Sequence, residues 1–88
     1  MGGVYAIHYS REAARTLRRM PRNVATTIRG KVEGVAADPH APNNNVKALV
    51  GRPGFRLRVG DWRVIYDLDD GLRILAVERV APRGGVYE

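Results

Sequence analysis

Residues 55–68, FRLRVGDWRVIYDL, carry the pattern that decides the fold. Phe55, Leu57 and Val59 alternate with Arg56 and Arg58, the period of two expected of a half-buried strand. Gly60-Asp61 is a two-residue hairpin signal, and Trp62 to Leu68 is the returning strand. That loop length sets Val59 opposite Trp62, Arg58 opposite Arg63 and Leu57 opposite Val64. Side chains alternate faces along a strand. Phe55, Leu57, Val59, Trp62, Val64 and Tyr66 therefore form one apolar face, and Arg56, Arg58 and Arg63 share the other.

Downstream of the hairpin, Asp69-Asp70-Gly71 reads as a second turn and residues 72–80 as the last strand. A three-residue loop with Gly71 in the left-handed conformation pairs Leu68 with Leu72 and Asp67 with Arg73. Upstream, the segment DPHAPNNN (38–45) is a loop. Before it stand two helical patterns divided by Pro21, which stops one helix and can open the next. In the first, Ser10 is the N-cap, Glu12 suits the first turn, and Ala13, Leu17 and Met20, with Ala14, form the buried stripe. Arg11, Arg15, Arg18 and Arg22 run down another face of it. In the second, which ends near Ala37, Val24, Ile28, Val32 and Val35 form the stripe. Gly30 and Gly34 disfavour helix there and are expected to let the two helices approach closely. Residues 4–9 alternate Tyr5, Ile7 and Tyr9 against Ala6 and His8 and read as a first strand. The order is β-α-α-β-β-β: an α+β domain with a helical hairpin packed on one face of a small, mostly antiparallel sheet. The core is expected to include Leu17, Ile28, Leu57, Val64 and Ile74.

At 88 residues the chain is expected to be a single domain, 1–88, with a modest core. It has no cysteine, so disulfides, thiol nucleophiles and Cys-ligated zinc are excluded. His8 and His40 form no metal-spacing motif, and neither a metal nor another cofactor is expected. His8 reads as structural and His40 as solvated. No apolar stretch is long enough to span a membrane, and residues 1–10 do not resemble a signal peptide, so a cytoplasmic protein is expected.

Charge is the informative part of the composition. Fifteen Lys and Arg against nine Asp and Glu give +6. Thirteen of the fifteen are arginine, the residue that binds phosphate bidentately. Either a polyanionic partner or the arginine enrichment of a GC-rich genome produces such a balance. Position favours the first reading. Like charges opposite one another across strands are destabilising, so Arg56, Arg58 and Arg63 on one open face point to phosphate contact; the bland alternative is a solvated face compensated by Asp61 and Asp67. If the last strand lies beside Trp62–Leu68, Arg79 and Arg83 approach the same rim. Tyr87 adds a ring suited to base stacking, or else packs over the sheet edge.

The segments YAIHYS (5–10), LRRMP (17–21), LVG (49–51), residues 55–66 and RGGVY (83–87) follow one another as in the RelE/ParE toxin superfamily, and the chain resembles its RelE-like branch over nearly its whole length. The resemblance implies the toxin of a type II toxin–antitoxin module that cleaves mRNA on the ribosome without a metal and so inhibits translation. It implies as partners a cognate acidic, RelB-like antitoxin, the ribosome and mRNA. The family's basic pair falls on Arg56 and Arg58, its hairpin arginine on Arg63, its C-terminal arginine on Arg83 and its terminal tyrosine on Tyr87; these five are the candidate catalytic residues. Arg56, Arg58, Arg63, Arg79 and Arg83 are the candidate RNA-binding set. Departures are visible. Lysine is common in the basic pair of ribosome-dependent members, the position before Arg83 is Pro82 where many relatives carry histidine, and a C-terminal helix is expected to be missing. Arginine stabilises charge but does not act as a base, which leaves proton transfer to Tyr87. Glu78, alternating away from Arg79, is not expected in the site. The departures keep open a ParE-type toxin that inhibits DNA gyrase by binding, and a degenerate member that only binds its antitoxin.

Overall fold

The computed structural model describes residues 4–84. In chain order the elements are β1 (Ala6–Tyr9), α1 (Arg11–Arg19), α2 (Arg22–Ala37), β2 (Val46–Ala48), β3 (Phe55–Val59), β4 (Trp62–Asp69) and β5 (Ile74–Pro82). The five strands form one sheet in the order β1-β5-β4-β3-β2, antiparallel except for the β1–β5 pair. Two helices on a mixed five-stranded sheet bear out the α+β reading, with β2 as an addition. That strand is three residues long and offers no period to read. It exists because Val46, Lys47 and Ala48 pair with Leu57, Arg56 and Phe55.

The helices begin where local chemistry directs. Ser10 accepts a hydrogen bond from the Ala13 amide at 3.0 Å and caps α1. Its own hydroxyl donates to the Glu78 carbonyl at 2.7 Å, so the cap also fastens α1 to β5. Pro21 precedes α2, and its carbonyl accepts from the Val24 and Ala25 amides. Ala13 and Leu17 from α1, Met20 just after it, and Ala25, Ile28, Val32 and Val35 from α2 pack onto Leu57, Val59, Val64, Tyr66, Leu75, Val77 and Val80 of the sheet. Phe55 and Trp62 lie partly buried against the same cluster. Full burial of one such aliphatic or aromatic side chain stabilises by about 1.5–3 kcal/mol. Gly30 and Gly34 do not mediate close helix approach: a Cβ at either would meet nothing within 4 Å.

The β3–β4 hairpin has the expected register, with Val59 opposite Trp62, Arg58 opposite Arg63 and Leu57 opposite Val64. The β4–β5 hairpin does not. Leu68 pairs with Leu75 and Asp67 with Ala76, not with Leu72 and Arg73. The turn takes four residues between Asp69 and Ile74, and its left-handed residue is Arg73 (φ 56°), not Gly71. The Asp69 carboxylate accepts from the Leu72 amide at 2.9 Å, and the Arg73 carbonyl accepts from the Ala6 amide at 2.9 Å, drawing the longer turn onto β1. The last strand consequently runs from Ile74 to Pro82 instead of from 72 to 80, and the core position expected for Ile74 belongs to Leu75 (1 % exposed), while Ile74 is half-buried.

Candidate nucleic-acid interface

The helices cover one face of the sheet; the opposite face buries Ile65 and Ala81 and is open on the side of β2, β3 and the hairpin tip. On that open face Lys47 stands opposite Arg56, and Arg58 opposite Arg63. Two adjoining concavities share Asn45, Arg58 and Arg63. One, of about 360 Å³, lies over the sheet and is also lined by Asn44, Lys47 and Arg56. The other, of about 580 Å³, opens at the hairpin tip and is completed by Thr27 and Lys31 of α2, the turn residues Gly60 and Asp61, and Arg83.

Backbone geometry holds these side chains in place. Gly60 adopts φ 57°, while Asp61 has no positive φ, the signs of a type II′ turn that suits the twist of a tight hairpin. Arg63 folds back on that turn, its Nη1 donating to the carbonyls of Gly60 at 3.0 Å and Trp62 at 2.9 Å. Arg58 is fixed from the β2 side: its amide donates to the Asn45 carbonyl at 2.8 Å and its Nη2 to the Asn45 side chain at 2.9 Å. At the end of β5, Pro82 pairs with Trp62 and the Arg83 amide donates to the Asp61 carbonyl at 2.7 Å. That bond brings Arg83 to the hairpin tip beside Arg58 and Arg63. Lys31 arrives from α2, one turn after Thr27.

Four of the six expected site residues, Arg56, Arg58, Arg63 and Arg83, are brought together. Arg79 is not. Between Ile65 and Tyr66 of β4 the register shifts, because β5 carries one extra residue there: Ile65 pairs with Arg79 and Tyr66 with Val77. The bulge breaks the strict alternation on which both the placement of Arg79 and the separation of Glu78 from it depended. Both side chains are exposed. The Arg79 head lies 3.6 Å from Glu12 at the start of α1, away from both concavities, and Glu78 pairs with Arg52 at 2.8 Å, so Glu78 stays outside the site as expected. Tyr87 lies outside the described residues.

The remaining ionisable groups mark the limits of the site. Asp61 lines the larger concavity, but Asp67 does not compensate the arginines. Its carboxylate accepts from the Leu68 amide, and it lies with Asp69, Asp70 and Glu78 around a separate hollow toward the β4–β5 turn. His40 is exposed yet held, 2.9 Å from Asp70, which also accepts from the Tyr5 hydroxyl at 2.6 Å. These two donors hold the Asp70 carboxyl below the usual carboxylate range. Each tyrosine among the described residues is pushed above the ordinary phenol value: Tyr5 by its hydrogen bond to Asp70, Tyr9 by burial, and Tyr66, also by burial, up to about 12. None of the three lines either concavity.

The comparisons with known proteins agree with this architecture. The ParE toxin family of type II toxin–antitoxin systems (parDE) matches over residues 7–87. The chain belongs to that family. Among solved structures, this ParE-family chain is similar to one from the RelE–RelB complex of Pyrococcus horikoshii, with a TM-score of 0.80 at 20% identity over 96% of this chain and 100% of the other. It is also similar to a chain of the RelBE2 toxin–antitoxin complex of Mycobacterium tuberculosis (TM-score 0.77, 23% identity, 90% and 91% covered). A third similar structure is the YoeB/ParE toxin of Agrobacterium tumefaciens (TM-score 0.75, 13% identity, 89% and 98% covered). No curated protein sequence matches significantly. At these identities the likeness is one of fold, and the family rests on the match over residues 7–87.

Proposed function

We propose that this toxin binds mRNA through the two basic concavities and cleaves it on the ribosome, inhibiting translation. The observation that carries the reading is the convergence of Lys31, Arg58, Arg63 and Arg83, from α2, both strands of the hairpin and the segment after β5, on one concavity. Clustered cations suit the phosphate backbone of a single strand, and a fixed cluster suits the extra negative charge of a phosphorane-like transition state. In the proposed reaction the 2′-oxygen of the preceding ribose bonds to phosphorus as the bond from phosphorus to the leaving 5′-oxygen breaks. The 2′-hydroxyl gives up a proton and the 5′-oxygen gains one, leaving a 2′,3′-cyclic phosphate and a 5′-hydroxyl. Arg56, Arg58, Arg63 and Arg83 stabilise the phosphate charge. Tyr87, the family's terminal tyrosine, stacks on a base or moves a proton, and the ribosome supplies alignment of the strand. An acidic, RelB-like antitoxin is the proposed partner that covers this face.

Arg63→Ala tests the reading. It is expected to abolish toxicity on induction and in-frame cleavage in programmed ribosomes, with folding intact; Arg63→Lys restores little, since an ammonium lacks the bidentate fork. Tyr87→Phe separates stacking, which it keeps, from proton transfer, which it loses. A gyrase-binding toxin is the second reading, favoured by the family that matches and by the lack of histidine among the described residues of the concavities. Growth arrest that survives Arg63→Ala and Tyr87→Ala, accompanied by gyrase-linked DNA breaks, selects it.

A further inference from the structure

A second basic surface lies outside the concavities. Arg11, Arg15, Arg18 and Arg19 are all exposed on α1, and no residue of α1 lines either concavity. At 3.6 residues per turn they fall within an arc of about 100°, centred opposite the buried Ala13 and Leu17, and reach about 12 Å along the axis. Arginines three and four apart on a helix repel. Glu12, three residues before Arg15, and the place of Arg18 and Arg19 in the last turn offset only part of this. Among the described residues none of the four forms an ion pair, and the only acid on α1, Glu12, faces Arg79 at 3.6 Å.

We infer that this arginine arc docks the phosphate backbone of a nucleic-acid double helix, a site separate from the concavities and independent of whether RNA is cut there. Charge complementarity names the ligand. A duplex carries one negative charge per about 1.7 Å of axis, a density that a rigid row of cations can meet at several points. Single strands are held by cations together with aromatic platforms, and α1, sequence REAARTLRR, presents no aromatic ring. Guanidinium groups on a helix anchored by Ser10 at one end and by Leu17 in the core lose little freedom as a body when they meet the backbone.

The test uses the full-length protein and fluorescein-labelled 20-base-pair RNA and DNA duplexes, with the RNA single strand of the same sequence. The variant is Arg15→Gln with Arg18→Gln, since glutamine keeps helix propensity close to that of arginine; circular dichroism and thermal melting check its fold. Loss of two phosphate contacts is expected to weaken duplex binding about tenfold at low salt and to lower the slope of log K against log salt by about 1.8. Single-strand binding is expected to change less. Arg15→Lys with Arg18→Lys keeps both charges and is expected to keep the slope. A loss confined to RNA assigns the surface to an A-form helix, and an equal loss on both duplexes assigns it to paired backbone of either kind. Duplex binding unchanged in affinity and slope, or an equal loss on single strand and duplex, overturns the proposal.

Discussion

The two hairpins that share β4 close in different ways. Between β3 and β4 the turn is two residues long, Gly60 supplies the positive φ, and the register follows from loop length alone. Between β4 and β5 the turn is four residues long, its left-handed residue is an arginine, and a bulge at Glu78 follows. One local bond, from the Leu72 amide to the Asp69 carboxylate, shapes the second turn, but what holds it to the rest of the molecule is long-range: the Arg73 carbonyl on the Ala6 amide, and Asp70 accepting from Tyr5 and His40. The open face divides with the hairpins. Cations gather at the tip of the first, and Asp67, Asp69, Asp70 and Glu78 surround a hollow toward the second. A locally specified turn can hold a charge cluster at fixed spacing, whereas a turn specified from outside depends on the elements that grip it.

Three measurements break or sharpen that contrast. The largest effect is expected in the core of the first hairpin: Leu57 is 2 % exposed, and Leu57→Ala is expected to cost about 2–5 kcal/mol in urea denaturation. A loss well under 1 kcal/mol would show that this hairpin does not depend on the helices beneath it. A smaller, opposite effect is expected at the second turn. A non-glycine residue in the left-handed region carries about 1–2 kcal/mol of strain, and glycine's greater unfolded freedom costs about 0.4–1 kcal/mol. Arg73→Gly (φ 56°) is therefore expected to stabilise by up to about 1.6 kcal/mol, and a raised midpoint with unchanged slope is the readout.

The smallest effect concerns pH. The Asp70 carboxyl is depressed by hydrogen bonds from Tyr5 and then from His40, so its contribution is present above the unfolded carboxylate value of about 3.9 and is lost as pH falls through the lower folded value. Thermal melting between pH 2 and 6 is expected to show Asp70→Asn below wild type near pH 6, the gap closing as wild-type Asp70 protonates. A gap that persists unchanged to pH 2 would mean that charge on Asp70 does not matter to the turn.

Legibility in the sequence tracked the range of the interactions. The Ser10 cap, the Pro21 break, the two helical stripes and the Gly60-Asp61 hairpin are each specified within a few residues, and each stands as read. Arg56, Arg58 and Arg63 were visible because strand alternation and a two-residue loop dictate one face. Arg79 was misplaced because a bulge has no local signature here, and one extra residue redirects a side chain. Asn45, Lys47, Thr27 and Lys31 were missed because their helix, loop and strand meet the hairpin only in three dimensions.

By itself the sequence determined the helices, the central hairpin and the sign and clustering of charge, since propensity, capping, period and turn chemistry act over a few bonds. Only the tertiary structure decided the parallel β1–β5 pairing, the short β2, the register beyond Asp69 and the meeting of Lys31 and Arg83 with Arg58 and Arg63. Those features depend on hydrogen bonds and burial between segments tens of residues apart, where closing the chain costs entropy that no local pattern records.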